Sequence, residues 1–344
     1  MDQGKKVLVL GAGNFGTCLA QHLAQLGHQV TLWARSASVV SEINQSRRNP
    51  KYLTQFELHP SISARGNLSK DLLRKQQVIV SAIPTQYTRD SLESLVGNLS
   101  PDCLLITAAK GIENKTLAFP RAIMSQVLGE SWKPKIVVLS GPSFAIEVMQ
   151  ALPTGISLAS QTPGPAVQAQ SIFHAPFFRA YTSEDPIGLE LAGALKNIIA
   201  IASGACIGLG YQSNSLAALL TRGLAEITRL GVAMGANPLT FNGLGGVGDL
   251  FLTCTSEKSR NYSTGQRLAK GQGLKDIVET MGSVAEGIAT TKAAHELARS
   301  KGVETPIIDE VYQVLYADKP IAEAVQDLLT REAGPEISLP VQRD

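Results

Sequence analysis

Two periodicities divide the chain. Up to residue 185, short β-branched apolar runs alternate with stretches whose apolar residues recur every third or fourth position, the pattern of a parallel sheet assembled from βαβ units. The runs at 6–10, 29–33, 78–82, 104–108, 136–139 and 155–159 are expected strands. Between the first two, residues 14–26 carry helical spacing and stop at Gly27, a residue type that commonly ends helices. Another helical pattern follows Pro84, which suits a first turn. Around Asp185-Pro186 the character changes, and helical spacing then persists through 187–204, 215–234, 262–270, 283–300 and 307–316, punctuated by Gly and Pro. The pattern predicts an α/β, doubly wound domain over 1–185 followed by an all-α domain over 186–344. The last ten or so residues carry no periodicity, and no internal repeat is visible.

Composition narrows the class. A chain of 344 residues exceeds what one core usually supports, and 44% hydrophobic residues supply enough material for two. Basic and acidic residues nearly balance, 31 against 29, so there is no general electrostatic footprint for nucleic acid or anionic membrane. Cys18, Cys103, Cys206 and Cys254 lie far apart and the histidines are scattered, which argues against a disulfide framework or a metal site. The apolar run ending at Gly11 is too short for a signal peptide. Residues 187–209 are long and apolar enough to suggest a membrane span, but they contain Glu190, Lys196 and Asn197. Charges in mid-membrane are costly, so a buried helix with a functional polar residue is the expectation. The chain reads as a soluble, cytoplasmic protein without stable membrane insertion.

Gly11-Ala12-Gly13-Asn14-Phe15-Gly16 directly follows the first strand and directly precedes a helix. In that context G-x-G-x-x-G indicates a Rossmann-type dinucleotide site. The first glycine permits the turn, the second lets backbone approach a diphosphate, and the third lets helix and strand pack closely. The free N–H groups of the helix start favour the anion. An NAD-specific site places an acid about twenty residues further on. Here the second strand ends in Trp33-Ala34-Arg35-Ser36 with no carboxylate. Arg35 instead suits a 2′-phosphate, which favours NADP(H) without excluding NAD(H).

Ligands in open α/β sheets gather beyond the carboxyl ends of the strands. Three such ends carry Ser81-Ala82-Ile83-Pro84, Ala108-Ala109-Lys110-Gly111 and Ser140-Gly141-Pro142-Ser143-Phe144-Ala145. Lys110 would put an amine at a strand tip, and Pro142 suits the opening of a helix. Lys196 is the more telling lysine, because its helical neighbours Ala192, Gly193, Ile199 and Ala200 form a small, apolar face. An amine there is desolvated, and burial lowers an amine pKa by as much as roughly 3–5 units. That makes it a proton donor and acceptor near neutral pH. Asn197 beside it could orient a substrate or satisfy neighbouring backbone. The loop Asn242-Gly243-Leu244-Gly245-Gly246-Val247-Gly248-Asp249 brings a carboxylate that could polarise Lys196, bind a substrate hydroxyl or cap the following helix. Ser259-Arg260-Asn261 opens a further helix, an arrangement suited to phosphate.

With these residues assembled, the sequence resembles the bacterial-type NAD(P)-dependent glycerol-3-phosphate dehydrogenases over nearly its whole length. The resemblance is densest at 11–17, 140–147, 191–209, 242–253 and 259–261. It implies reversible hydride transfer between NAD(P)H and C2 of dihydroxyacetone phosphate, giving sn-glycerol 3-phosphate for phospholipid synthesis. It implies Lys196 as the proton-transfer residue and Lys110 as a contact of both cofactor and substrate. Gly141, Ser143, Asp249, Ser259, Arg260 and Asn261 become expected substrate contacts, with Arg260 also near the cofactor. Asn14, Phe15, Arg35, Ala145, Val284 and Glu286 become expected cofactor contacts. Only the glycines Gly11, Gly13 and Gly16 and Arg35 point to the cofactor unaided.

One departure stands out: many relatives carry Ser-Trp where this chain has Asn14-Phe15, which keeps an aromatic and loses an indole N–H. Residues 46–75 match least and yield no site assignment. In the implied mechanism, protonated Lys196 stabilises charge building on the carbonyl oxygen and donates the proton. The phosphate, gripped by Arg260 and helix N–H groups, fixes orientation from a distance. The helical half could supply a face for a homodimer. Two rivals share parts of this pattern. A β-hydroxyacid dehydrogenase also pairs a dinucleotide domain with a helix lysine, and a redox sensor keeps the fold without catalysis. A sensor has no need of the Lys196, Asp249 and Arg260-Asn261 set.

Overall fold

The computed structural model describes residues 4–281, 285–332, 334 and 336. The chain forms two compact units, Met1–Ala109 with Pro120–Pro186, and Lys110–Phe119 with Ile187–Asp344. The short segment Lys110–Phe119 therefore packs with the helical unit, although it lies inside the 1–185 span of the sequence-based division.

The first unit is built on an eight-stranded sheet. Its strands are β1 (Lys6–Leu10), β2 (Gln29–Trp33), β3 (Ile62–Arg65), β4 (Val78–Ser81), β5 (Leu104–Thr107), β6 (Ile136–Ser140), β7 (Thr154–Ala159) and β8 (Phe178–Ser183), in the order β3-β2-β1-β4-β5-β6-β7-β8. All neighbours are parallel except β6 and β7. Along β1 the side chains alternate between two apolar layers. Val7 and Val9 pack with Leu19 and Leu23, while Leu8 and Leu10 pack with Ile79 and Leu92. A strand covered on both faces must be apolar throughout, which is why β1, β4, β5 and β6 read as unbroken runs. The edge strands β3 and β8 were not anticipated, because Ile62-Ser63-Ala64-Arg65 is half polar and β8 exposes Arg179 and Tyr181. The strand order reverses between β1 and β4, which puts the Gly11 turn at the switch point where such sheets bind ligands.

In the second unit the Pro186–Gly208 helix is central. It is the one described helix long and apolar enough to cross a membrane, and 78% of its apolar window is buried. Leu191, Leu195, Ile198 and Ile199 pack with Ile227, Leu230, Phe241 and Ile308, and Ile112 and Phe119 join this same core. The Arg260–Ala269 helix lies tight against it, since a Cβ on Gly265 would sit 1.9 Å from the Ile201 carbonyl oxygen. The expected segment 283–300 is found as the Glu286–Ser300 helix, and residues 282–284 lie outside the described set. All four cysteines are free and buried.

One buried core group of the first unit makes its stability sensitive to acid. His22 is 2% exposed, ringed by Phe173, Phe177 and Phe178, and its Nε2 meets the Phe173 carbonyl at 2.7 Å. Its Nδ1 has no hydrogen-bond partner, so protonation would bury an unpaired donor. Burial accordingly pushes the imidazole down to about 4 from its ordinary value of 6.5. The unfolded chain binds the extra proton first, so stability is complete above the unfolded pKa and is lost as pH falls towards the folded one. Over the whole window this amounts to about 3 kcal/mol. The melting temperature of the parent should fall more steeply between pH 7 and pH 5 than that of His22→Gln. Parallel curves for the two proteins would remove His22 from the acid sensitivity.

Candidate active site

At the end of β1 the Gly11 N–H donates to the Trp33 carbonyl at 3.1 Å. Gly11 has a φ of 104°, in the left-handed region that glycine tolerates. A Cβ on Gly16 would lie 1.8 Å from the Gly11 carbonyl oxygen, so the chain itself demands glycine at both positions. Gly13 differs. Its φ is −79° and a Cβ there would meet nothing within 4 Å. Neither strain nor neighbours require glycine at 13, and the open space beside it suits a group approaching the backbone from outside. Gly13 is the N-cap of the Asn14–Gln25 helix, whose first turn carries no acid. This arrangement fits a dinucleotide diphosphate.

Asn49 holds the turn in place, a role for which sequence reasoning gave no sign. It is 1% exposed, and its Nδ2 donates to the Ala12 carbonyl at 3.0 Å and to Thr17 Oγ1 at 2.9 Å. Its Oδ1 accepts from the N–H groups of Lys51 and Tyr52. Phe15 packs against the core and Asn14 is exposed. Beyond β2, Arg35 is exposed and its guanidinium lies 5.4 Å from the Tyr87 ring centroid. Ser36 caps the Ala37–Ser46 helix, whose first turn is also free of acids.

The hydroxyls of Ser81 and Ser140, at the carboxyl ends of β4 and β6, are buried without a hydrogen-bond partner. A ligand or water normally completes such groups. Gly141 has a φ of 138°, and Ser143 Oγ donates back to its carbonyl at 3.0 Å. The expected helix opens at Ala145, within the Ala145–Met149 helix, and not at Pro142. The Ser143 hydroxyl bond keeps the intervening residues in a turn.

The helical unit gathers the charged residues. Asp249, 2% exposed, accepts from Lys196 Nζ on Oδ1 and from Lys110 Nζ on Oδ2, each at 2.6 Å. Lys196 also donates to Thr253 Oγ1 at 2.6 Å, and that hydroxyl donates to the Asp249 carbonyl at 2.7 Å. Two of the three Lys196 protons are thus engaged, which leaves one donor. Burial pushes the Lys196 amine down to about 8, against the pull of Asp249, with the Lys110 charge adding to the fall. Burial also pushes the Asp249 carboxyl up, but the two ammonium groups outweigh it and hold it below the ordinary carboxylate range.

Asp249 stands in the first turn of the Asp249–Cys254 helix, entered through the π-turn Leu244–Gly248, and its side chain makes no cap there. The capping role is replaced by the lysine bridge. Thr253 was overlooked, although its place one helical turn after Asp249 would have put it on the same face.

Ser259 caps the Arg260–Ala269 helix, its Oγ accepting from the Tyr262 N–H at 3.3 Å, and Arg260 beside it is exposed. Asn261 is buried, and its Nδ2 donates to Asn197 Oδ1 at 2.9 Å. Lys110, Lys196, Asn197, Asp249 and Asn261 are therefore joined by hydrogen bonds, and Asn197 does satisfy neighbouring backbone, as its contacts with the Lys110 and Gly193 carbonyls show. Glu286 begins the Glu286–Ser300 helix, and Val284 lies outside the described residues. The glycine turn, Arg35, Gly141, Ser143 and Ala145 belong to the first unit.

Comparison with known proteins bears on both units. Residues 6–165 match the family model described as NAD-dependent glycerol-3-phosphate dehydrogenase N-terminus, and residues 185–326 match its C-terminus counterpart. A glycerol-3-phosphate dehydrogenase [NAD(P)+] from Geobacter sp. (strain M21) is 44% identical over 332 residues, which is 96% of this chain and 99% of that protein. The crystal structure of glycerol-3-phosphate dehydrogenase from Coxiella burnetii superposes with a TM-score of 0.90 at 34% identity, over 95% of this chain and 99% of that one. The Saccharomyces cerevisiae glycerol-3-phosphate dehydrogenase gives 0.79 at 27% identity, over 95% of this chain and 100% of that one. A glycine turn open at Gly13, a buried lysine bridge at Asp249 and matches spanning both units have one common explanation: the chain belongs to the NAD-dependent glycerol-3-phosphate dehydrogenase family.

Proposed function

We propose that this chain reduces dihydroxyacetone phosphate to sn-glycerol 3-phosphate reversibly, with NADPH preferred over NADH, and that it feeds phospholipid synthesis. The observation that carries the reading is the buried Lys196 ammonium, fixed by Asp249 and Thr253 with one proton uncommitted. When bound, the dinucleotide supplies or takes up a hydride. The chain's part in reduction is to bind the ketone, stabilise the charge on its oxygen and give that oxygen a proton. A cationic donor held in advance does this without reorganising. Asp249 keeps the donor charged and aimed, and Lys110 brings a second positive charge to the same carboxylate.

Substrate phosphate is assigned to the start of the Arg260–Ala269 helix, where Arg260 supplies a fork of donors and the Ser259 hydroxyl still has its proton to give. Asn261 retains one N–H for the same purpose. Gly141 and Ser143 complete the proposed substrate contacts. The dinucleotide is assigned to Gly11, Gly13, Asn14, Phe15, Gly16, Arg35, Lys110, Ala145, Arg260 and Glu286, with Val284 carried from the resemblance. The absence of a carboxylate after β2 and the exposed Arg35 support the 2′-phosphate preference. A homodimer formed through the helical unit and residence in the cytoplasm are expectations from the same resemblance.

Purified protein should oxidise NADPH only when dihydroxyacetone phosphate is present. Lys196→Ala should lower turnover at least about a hundredfold while dinucleotide affinity stays within about twofold. Near-normal turnover by that variant would sink the assignment. Because the donor must be protonated, ketone reduction should decline above about pH 8 and alcohol oxidation should rise there. Arg35→Gln should weaken NADPH binding by roughly tenfold and leave NADH binding unchanged. Equal losses for both dinucleotides in titration calorimetry would contradict the preference.

A further inference from the structure

A chain of hydrogen bonds in the helical unit runs in one direction. The Gly287 N–H, in the first turn of the Glu286–Ser300 helix, donates to Asn261 Oδ1 at 3.0 Å. Asn261 Nδ2 donates to Asn197 Oδ1 at 2.9 Å. Asn197 Nδ2 then donates to the Lys110 carbonyl at 3.2 Å and to the Gly193 carbonyl at 3.3 Å. A backbone N–H only donates and a backbone carbonyl only accepts, so the two ends fix which way round both amides lie. Turning either amide would set donor against donor or acceptor against acceptor. Asn197 is 6% and Asn261 8% exposed, and Gly287 is buried, so such a mismatch would be costly. The crossing point has no spare room. A Cβ on Gly287 would lie 2.6 Å from Asn261 Oδ1 and 2.7 Å from the Asn197 carbonyl oxygen.

The geometry points to this relay as the device that positions Lys110, with Asn197 and Gly287 as positioning residues acting through Asn261 and through the Lys110 main chain. The inference deepens the proposed function and rests on it, since it concerns how the Lys110 amine is delivered to that site. Lys110 is held at both ends. Its carbonyl is tied to the helix that carries Lys196, and its Nζ is tied to Asp249 Oδ2. Breaking the relay removes the Asn197 tie on the Lys110 carbonyl and loosens the amine's hold on the carboxylate. The relay also settles what Asn261 can offer a ligand. Its carbonyl oxygen faces Gly287 and one N–H faces Asn197, so the free N–H is a donor, as an anionic group requires.

The titratable groups acting on the Lys196 amine are Asp249, Lys110 and Cys254. The positive charge of Lys110 opposes protonation of Lys196, so its departure should raise the Lys196 titration. Asn197→Ser and Asn261→Ser each cut the relay at a different link. In both, the Lys196 amine, followed by heteronuclear NMR on dinucleotide-free protein, should titrate higher than in the parent by roughly half a unit or more. The kcat/KM for dihydroxyacetone phosphate should fall about tenfold in Asn197→Ser, and the double variant should lose no more than about twofold beyond the worse single one. An unmoved Lys196 titration in both variants, or losses that multiply, would overturn the relay. Should one variant fail to fold, the other reads the same amine. Absence of turnover in the parent would overturn the functional reading alone and leave the titration test in force.

Discussion

The carboxylate of Asp249 between the amines of Lys196 and Lys110 is the interaction on which the rest of the site depends. Burying ions is expensive, and mutual attraction offsets the cost only when the geometry is held closely. Each partner is accordingly supplied by a different rigid feature. Lys196 projects from the most buried helix of its unit, Asp249 follows a π-turn directly into a helix, and Lys110 is tied by its carbonyl to Asn197. Two ammonium groups against one carboxylate leave an excess positive charge. A site that must accept a phosphorylated ketone and stabilise an oxyanion gains from that imbalance.

The dinucleotide unit solves a different problem, the approach of a diphosphate to bare backbone. Gly11 and Gly16 are demanded by the chain's own turn and packing, while Gly13 is demanded by neither. That separation leaves open space beside Gly13 that suits a ligand, on physical grounds that do not depend on the motif. Asn49 saturates both ends of its amide on the turn and its surroundings, so the loop is held before anything binds. Preorganisation of this kind lowers the ordering cost of binding.

Much of the fold was legible because strands buried on both faces and a long core helix leave unambiguous apolar patterns. The expected β1 and β2 coincide with the observed ones, and the core helix was read as buried despite its membrane-like composition. The edge strands β3 and β8 were not legible, since one exposed face dilutes the apolar signal. Lys196 stood out because its helical neighbours are small and apolar. Asp249 was legible as its candidate partner because a carboxylate closes the glycine-rich loop. Thr253 was not, because contacts between residues far apart in sequence leave no local trace. Asn49 reaches Ala12 across 37 positions and Asn197 reaches Lys110 across 87. For the same reason nothing in the pattern indicated that residues 110–119 pack with the helical unit. The local proline after β6 suggested an earlier helix start than the Ser143 turn permits.

Asp249 is the group that keeps Lys196 protonated, and Asp249→Asn is the direct probe of that role, because the shape is kept and the charge removed. The measurement is the pH dependence of dihydroxyacetone phosphate reduction. With its counter-charge gone and Lys110 still positive, Lys196 should titrate well below about 8, and the alkaline decline should move acidward by about one unit or more. A decline that stays at about pH 8 would mean that Asp249 does not govern the proton donor.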